Sequence, residues 1–251
     1  MRSNGLIERW RSGKPASNCW LSFGHPFIAE VLAHQGWDSL TIDMQHGLAD
    51  QADVSAMLMA ISTSSAVPLV RVPWNNPGDV MRALDSGAYG IVCPNIETRE
   101  ECEKFVGACR YAPLGYRSVG PRRALLYSGP DYLKFANETV LAIVQVETAK
   151  GLTNVHEIAS VKGLDMLYVG PSDLGLSLGR EPRIDQTDPV VVEAIDTILR
   201  AAKSAGLKSG IYCRSADYAM AMREKGFDLV TVTSDDGLIA AGAASATRFM
   251  R

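Results

Sequence analysis

Residues Leu141-Ala142-Ile143-Val144-Gln145-Val146-Glu147 and Asp165-Met166-Leu167-Tyr168-Val169-Gly170-Pro171-Ser172-Asp173 decide the fold. Each holds a short apolar run, too short for an ordinary helix, followed by an acidic residue. Strands that are apolar at nearly every position are buried on both faces, as in parallel sheets. Gln145 and Glu147 stand two positions apart and so share one face of an extended strand. In a barrel of parallel strands that face is the interior, and the strand ends open at the catalytic mouth. Two carboxylates there, with no obvious buried cation as partner, suit a hard divalent ion such as Mg2+ or Mn2+.

Outward from this pair, apolar runs predict strands at 19–23, 39–43, 68–71, 90–94, 140–146, 166–169, 209–212 and 229–232. Helical patterns fall between and after them, at 27–35, 53–62, 77–86, 99–110, 149–160, 189–205, 216–225 and 234–250. Gly36, Gly87, Gly206 and Gly226 stand where helices should close, and Ser234-Asp235 offers capping chemistry for the last one. Eight strands alternating with helices predict an α/β fold, a (β/α)8 TIM barrel forming a single domain over 1–251, rather than an open doubly wound sheet. Residues 111–137, rich in Gly, Pro and Arg, are expected to form an extended loop, either functional or disordered. The small-residue run at 237–246 is expected to pack closely on another helix, in its own barrel or across a subunit interface.

The chain has 251 residues, 47% apolar and 21% charged, which is enough for a sizeable core. A net charge of -3 and no basic cluster longer than Arg122-Arg123 argue against nucleic acid as a partner. No apolar stretch approaches the roughly 20 residues needed to span a membrane, and no membrane partner is expected. The first 13 residues carry charges throughout and lack an apolar core, so a secretion signal is not expected. Cysteines 19, 93, 102, 109 and 213 form no C-x-x-C pair and read as reduced thiols of a cytoplasmic protein. Glycine-rich nucleotide motifs and a Cys/His cluster for structural zinc are both missing from the sequence.

His46, in Asp43-Met44-Gln45-His46-Gly47, follows the second strand, where an imidazole could exchange protons near neutral pH or serve as a structural hydrogen-bonding group. His25 is a weaker candidate for the same mouth, and His34 and His156 fall on helices. Arg71 ends the third strand, placed to stabilise a carboxylate or oxyanion, to pair with a strand-end acid such as Asp43, or to do both. Asp85 falls near a helix end at the rim opposite the mouth and by itself reads as a surface carboxylate. Taken singly, Glu147 and Asp173 also fit a first-turn acid and a turn residue. Lys150 and Lys208 are poorly placed for Schiff-base chemistry.

Four segments, Asp43-Met44-Gln45-His46, Val70-Arg71-Val72-Pro73-Trp74-Asn75, Gln145-Val146-Glu147-Thr148 and Val169-Gly170-Pro171-Ser172-Asp173-Leu174, resemble the HpcH/HpaI aldolase family. These are class II, metal-dependent pyruvate aldolases, and the resemblance runs from about Trp20 to the C-terminus. The 4-hydroxy-2-oxoheptanedioate and 2-keto-3-deoxy-sugar-acid aldolases look most similar. The resemblance implies cleavage and formation of 4-hydroxy-2-oxo acids from pyruvate and an aldehyde. It implies a divalent metal (Mg2+ or Mn2+, alternatively Co2+ or Zn2+) on Glu147 and Asp173. Gln145, Gly170, Pro171, Ser172 and Asp173 would lie beside pyruvate, with Trp20, Tyr212 and the 111–137 segment shaping the aldehyde pocket. His46 would be the acid/base, Arg71 would stabilise the keto oxygen, and Asp85 would pair with the histidine. From its rim, Asp85 is expected to reach His46 of an adjacent subunit. The resemblance further implies a homo-oligomer, a hexamer, in which exchange of the small-residue C-terminal helix between subunits is one of the two packings open to it. The glycine–arginine loop at 115–122 would likewise complete a neighbour's pocket. Gln45 departs from the family, which frequently has Glu there. The rival readings are a metal-dependent oxaloacetate-type decarboxylase, a CoA-thioester lyase of the citryl or malyl type, and a non-catalytic metabolite-binding barrel.

Overall fold

The computed structural model describes residues 1–248. Eight parallel strands pair in sequence order and close into a barrel. They are β1 (Ala16–Leu21), β2 (Ser39–Asp43), β3 (Val67–Arg71), β4 (Gly90–Cys93), β5 (Leu141–Val146), β6 (Met166–Val169), β7 (Lys208–Tyr212) and β8 (Leu229–Ser234). The helices are α1 (Gly5–Arg11), α2 (Pro26–Ala33), α3 (Gln51–Ile61), α4 (Pro77–Asp85), α5 (Arg99–Cys109), α6 (Arg122–Ser128) and α7 (Tyr132–Thr139). After β5 come α8 (Ala149–Thr153), α9 (Val155–Ala159), α10 (Pro171–Ser177), α11 (Pro189–Ser204), α12 (Ala216–Lys225) and α13 (Asp235–Thr247). The expected (β/α)8 barrel is present, with all eight strands.

The period of two along each strand divides the core. Leu141, Ile143, Leu69, Met166 and Tyr168 belong to a cluster inside the barrel. Their neighbours Ala142, Val144, Val146, Val70 and Leu167 pack outward in the helix-facing core. Midway up the interior, Asn18 accepts from Ser39 Oγ (2.9 Å) and Thr41 Oγ1 (3.1 Å) and donates to Thr231 Oγ1 (2.8 Å). A fully satisfied polar layer of this kind fixes the strand register without an unpaired buried group. The site follows from the same parity. Trp20, Asp43, Arg71, Gln145, Gly170 and Tyr212 continue the inward-facing series at or just past the C-terminal ends of six strands.

The opposite end is closed by α1, which the charged N-terminal sequence did not suggest. Asn4 caps it by accepting from the Leu6 N–H at 3.1 Å, while its own amide donates to Thr139 O at 2.8 Å. Leu6 and Trp10, one helical turn apart, pack into the inner cluster, and the Trp10 indole donates to Asp228 O at 2.9 Å.

Residues 111–137 are not an extended loop. They carry α6 and most of α7, in which Ala124 with Ser128, and then Tyr132 with Ala136, bury one side of each helix. The expected helix at 149–160 breaks at Asn154, whose side chain donates to Glu97 O at 2.8 Å. At the end of α12, Gly226 takes φ +105°, a left-handed closure that an L side chain resists. Gly36, Gly87 and Gly206 also have positive φ, as their positions implied.

The start of α13 differs from expectation. The Ser234 hydroxyl makes no capping bond. Instead the buried Asp235 carboxylate accepts from the N–H groups of Ser22 and Phe23, which ties the helix to the end of β1. Asp235 is the one buried residue of α13 among those described, and Leu238 and Ile239 are exposed. The expected extension of this helix beyond 248 lies outside the described residues.

Candidate active site

A cavity of about 520 Å³ opens at the C-terminal ends of the strands. Trp20, Asp43, His46, Arg71, Gln145, Gly170, Pro171, Ser172 and Asp173 line it together, from five different strand ends. Tyr212, Arg214 and the first turns of α13 line its outer part. Trp20 forms an aromatic floor with Tyr168 and Tyr212, at ring separations of 5.8 and 5.3 Å.

Register dictates the first ion pair. Asp43 and Arg71 are direct partners across β2 and β3. Arg71 Nε and Nη2 donate to the two Asp43 oxygens at 2.8 and 2.7 Å, a two-point fork buried from solvent. Burial alone would raise the Asp43 carboxyl, but the Arg71 hydrogen bonds and charge outweigh it and hold the group below the usual carboxylate range. The Arg71 guanidinium also lies 5.0 Å from the Trp20 ring centroid. Asp43 Oδ1 further accepts from the Gln45 N–H (3.0 Å) and more weakly from that of His46 (3.4 Å), so one carboxylate orients both Arg71 and the turn carrying His46. That turn needs Gly47, since a Cβ there would fall 2.2 Å from Asp43 O. The His46 side chain is exposed at the mouth.

The second acidic pair has no such partner. Glu147 is buried at the end of β5; Oε1 accepts from the Asn95 N–H at 2.9 Å and Oε2 from the Gln145 amide. Asn95 holds φ at +51°, the sole non-glycine residue with positive φ among those described. Burial pushes the Glu147 carboxyl up, and the negative charge of Asp173 adds to that, against the hydrogen bonds from Gln145 and Asn95. Gly170 leaves the space above this carboxylate clear: a Cβ would lie 2.5 Å from Glu147 Oε2 and 2.8 Å from Gln145 Nε2. Gln145 Oε1 is buried and has no hydrogen-bond partner. Asp173 stands exposed in the first turn of α10. A buried carboxylate raised by burial and by the charge of Asp173, beside an orphaned amide oxygen, suits a hard cation. Among the described residues no three His, Cys, Asp or Glu side chains gather to hold a metal by themselves, so these two acids would leave further positions for water and substrate.

Residues 16–241 match the family described as HpcH/HpaI aldolase/citrate lyase. The chain belongs to that family. A hydroxypyruvate/pyruvate aldolase of Rhizorhabdus wittichii is 42% identical over 240 residues, 96% of either chain. A 5-keto-4-deoxy-D-glucarate aldolase of Salmonella arizonae is 37% identical over 226 residues, 89% of this chain and 88% of the relative. The crystal structure of an HpcH/HpaI aldolase/citrate lyase family protein from Burkholderia cenocepacia superposes with a TM-score of 0.92 at 39% identity, covering 99% of this chain and 100% of that one.

Not every expected residue of this family member reaches the cavity. Asp85 is outside its lining, at the end of α4, where its Oδ1 accepts from Arg117 at 2.7 Å. His25 caps α2 by accepting from the Phe27 N–H at 3.2 Å, and His34 meets Thr63 at the surface. No lysine lines the cavity; Lys150 pairs with Glu97 outside it, and Lys208 pairs with Asp228 at the far end of the barrel. Asp43 carries more of the site than its sequence context suggested. Its signal was the acid closing a strand three residues before a histidine. Asn95 gave no signal, because its contribution is a backbone N–H.

Proposed function

We propose that the protein is a class II aldolase that forms and cleaves 4-hydroxy-2-oxo acids from pyruvate and an aldehyde. The observation that carries this reading is one cavity lined by Asp173, Gln145, a buried, oriented arginine and an accessible histidine, with the buried Glu147 carboxylate set behind its lining residues Gln145 and Gly170. Glu147 and Asp173 would hold a divalent ion, Mg2+ or Mn2+, which when bound supplies Lewis acidity toward a 2-keto acid. Arg71 spends Nε and Nη2 on Asp43 and has Nη1 left to stabilise negative charge on the keto oxygen. Gln145 and the Ser172 backbone position the keto acid, and Trp20 and Tyr212 wall the aldehyde side. In cleavage, His46 takes the proton from the C4 hydroxyl, the C3–C4 bond breaks, and its electron pair passes into the enolate. Protonation at C3 then gives the pyruvate methyl group, and synthesis reverses each transfer.

Exposed apolar side chains on α13 (Leu238, Ile239) and α2 (Phe27, Val31) support assembly into a homo-oligomer in which α13 packs on a neighbouring copy; a hexamer fits the family resemblance. In such an assembly Asp85 reaches His46 of an adjacent subunit. Five free, buried cysteines support a reducing, cytoplasmic setting. No described helix is long and apolar enough to cross a membrane.

The test is cleavage of a panel of 4-hydroxy-2-oxo acids by chelated and metal-restored enzyme. Cleavage should require the ion and be lost in Glu147→Ala and Asp173→Ala. Full activity in rigorously chelated protein refutes the reading. His46→Ala should slow exchange of the pyruvate methyl protons with solvent, and an unchanged rate removes the histidine from its role.

A further inference from the structure

Asp85 is gripped by a device that the cavity does not contain. Arg117 follows α5 in the connection that leads to α6, and its side chain is 0% exposed. The guanidinium lies 4.5 Å from the Tyr111 ring centroid and 5.5 Å from that of Tyr132. It donates to the Tyr132 hydroxyl at 2.9 Å and to Asp85 Oδ1 at 2.7 Å. Burial pushes both phenols up, so they stay neutral near pH 7 and Asp85 is the one anion bonded to this buried cation. Burial opposes the Arg117 charge, and the hydrogen bonds to Asp85 and to the Tyr132 hydroxyl work against that cost.

The pair is lopsided. Arg117 is sealed, whereas the Asp85 side chain is 32% exposed. Oδ1 is committed to the guanidinium, and Oδ2 has no partner among the described residues. Other cations nearby do not share the load: Arg123 donates to Ser86 O and Leu58 O, and Arg82, one turn back on α4, forms no ion pair among the described residues. Breaking a buried charge from its partner is costly, so Asp85 is held in one rotamer with an oxygen facing outward.

We propose that Arg117, clamped by Tyr111 and Tyr132, is a positioning residue that fixes the Asp85 carboxylate for the His46 imidazole of an adjacent subunit. This rests on the proposed role of Asp85 across the interface. It also reassigns the glycine–arginine loop: Arg117 acts inside its own protomer, behind Asp85, rather than reaching into a neighbour's pocket. A carboxylate behind a histidine sets the tautomer and basicity of the ring, and losing such an outer partner typically costs about 10–100-fold in activity.

The experiment uses the full-length oligomer with Asp85→Asn, Arg117→Lys, the double variant and Tyr132→Phe, each checked for folding by circular dichroism and for size by light scattering. The readouts are kcat and KM for retro-aldol cleavage against pH, with pyruvate methyl exchange. Arg117→Lys should lower kcat about tenfold, leave KM little changed, and move the pH profile in the same direction as Asp85→Asn. The double variant should be no slower than Asp85→Asn. Tyr132→Phe, which keeps the ring and loses the hydroxyl, should shift the profile the same way by less. If Arg117→Lys fails to fold, Tyr132→Phe decides, and a wild-type profile there overturns the proposal. An impaired Asp85→Asn beside an unimpaired Arg117→Lys overturns the role of Arg117 alone, as does a double variant whose losses multiply. An unimpaired Asp85→Asn removes the cross-subunit role of Asp85 and the proposal with it, while metal-dependent cleavage stands or falls separately.

Discussion

Gly170→Ala is the most economical probe of the site, because it adds one methyl group and no charge. Gly170 has φ −99° and ψ 91°, which any L residue adopts, so the backbone does not resist the change. The cost is steric. The new Cβ would lie 2.5 Å from Glu147 Oε2, 2.8 Å from Gln145 Nε2 and 3.1 Å from Glu147 Cβ, so the pair must retreat by about 1 Å to reach ordinary contact. Glu147 cannot retreat freely: its Oε1 is held by the Asn95 N–H, and its side chain is buried. Overpacking of this kind costs about 1–3 kcal/mol of stability. A misplacement of about 1 Å at a reacting centre costs about 100-fold in rate, or about 2.7 kcal/mol of transition-state stabilisation. The expected result is a folded protein with a modestly lowered Tm, a hundredfold drop in kcat/KM for retro-aldol cleavage, and weakened Mn2+ binding by calorimetry. Wild-type kcat/KM together with wild-type Mn2+ affinity refutes the reasoning, since Glu147 and Gln145 would then not need the space that Gly170 leaves.

Asp43→Asn should strand a buried arginine and cost about 3–5 kcal/mol in urea denaturation; a loss within error means that Arg71 finds another partner. Because Arg71 depresses the Asp43 carboxyl, its contribution to stability is complete above the unfolded value of about 3.9 and is lost as pH falls through the folded one. The acid limb of stability should accordingly flatten in that variant. Glu147→Gln has the opposite sign: burial raises this carboxyl, so its charge costs stability once pH exceeds the unfolded value, and the metal-free variant should melt higher than wild type at pH 7 while losing Mn2+ binding. An unchanged or lower Tm there contradicts the picture of an uncompensated acid. Leu6→Ala should cost about 2–5 kcal/mol in thermal or urea melts with kcat intact, since α1 closes the end of the barrel away from the cavity; a selective loss of activity would tie α1 to the site.

The barrel was readable because its strands are apolar on both faces and separated by glycine-closed helices, a pattern set by burial alone. The positions of the candidate site residues were readable for a related reason. Once parity is fixed by Ile143 and Tyr168, Gln145 and Gly170 must face inward, and Glu147 and Asp173 follow them at the strand ends. Three features escaped. The pair Leu6 and Trp10 buries a helix among charged neighbours, and two apolar residues one turn apart are too few to assert a period. In 111–137 three of the four buried positions in α6 and α7 are Ala or Ser, so they carry little hydrophobic contrast against the Gly, Pro and Arg around them. Asn95 acts through its backbone, which no side-chain pattern encodes.

The chemistry lies in how differently the mouth treats its acids. Asp43 has its charge answered within the chain, by an arginine that the β2–β3 register delivers, and the fork in turn aims that arginine and the His46 turn. Glu147 and Asp173 receive only neutral donors or solvent, and Arg71 turns Nε and Nη2 to Asp43. Neutral hydrogen bonds offset part of the cost of burying Glu147 without cancelling its charge. Had Arg71 turned to Glu147 instead, the barrel would hold a satisfied structural salt bridge with nothing left to bind. The register that pairs Arg71 with Asp43, rather than the presence of acids at strand ends, is therefore what leaves Glu147 without a cationic partner.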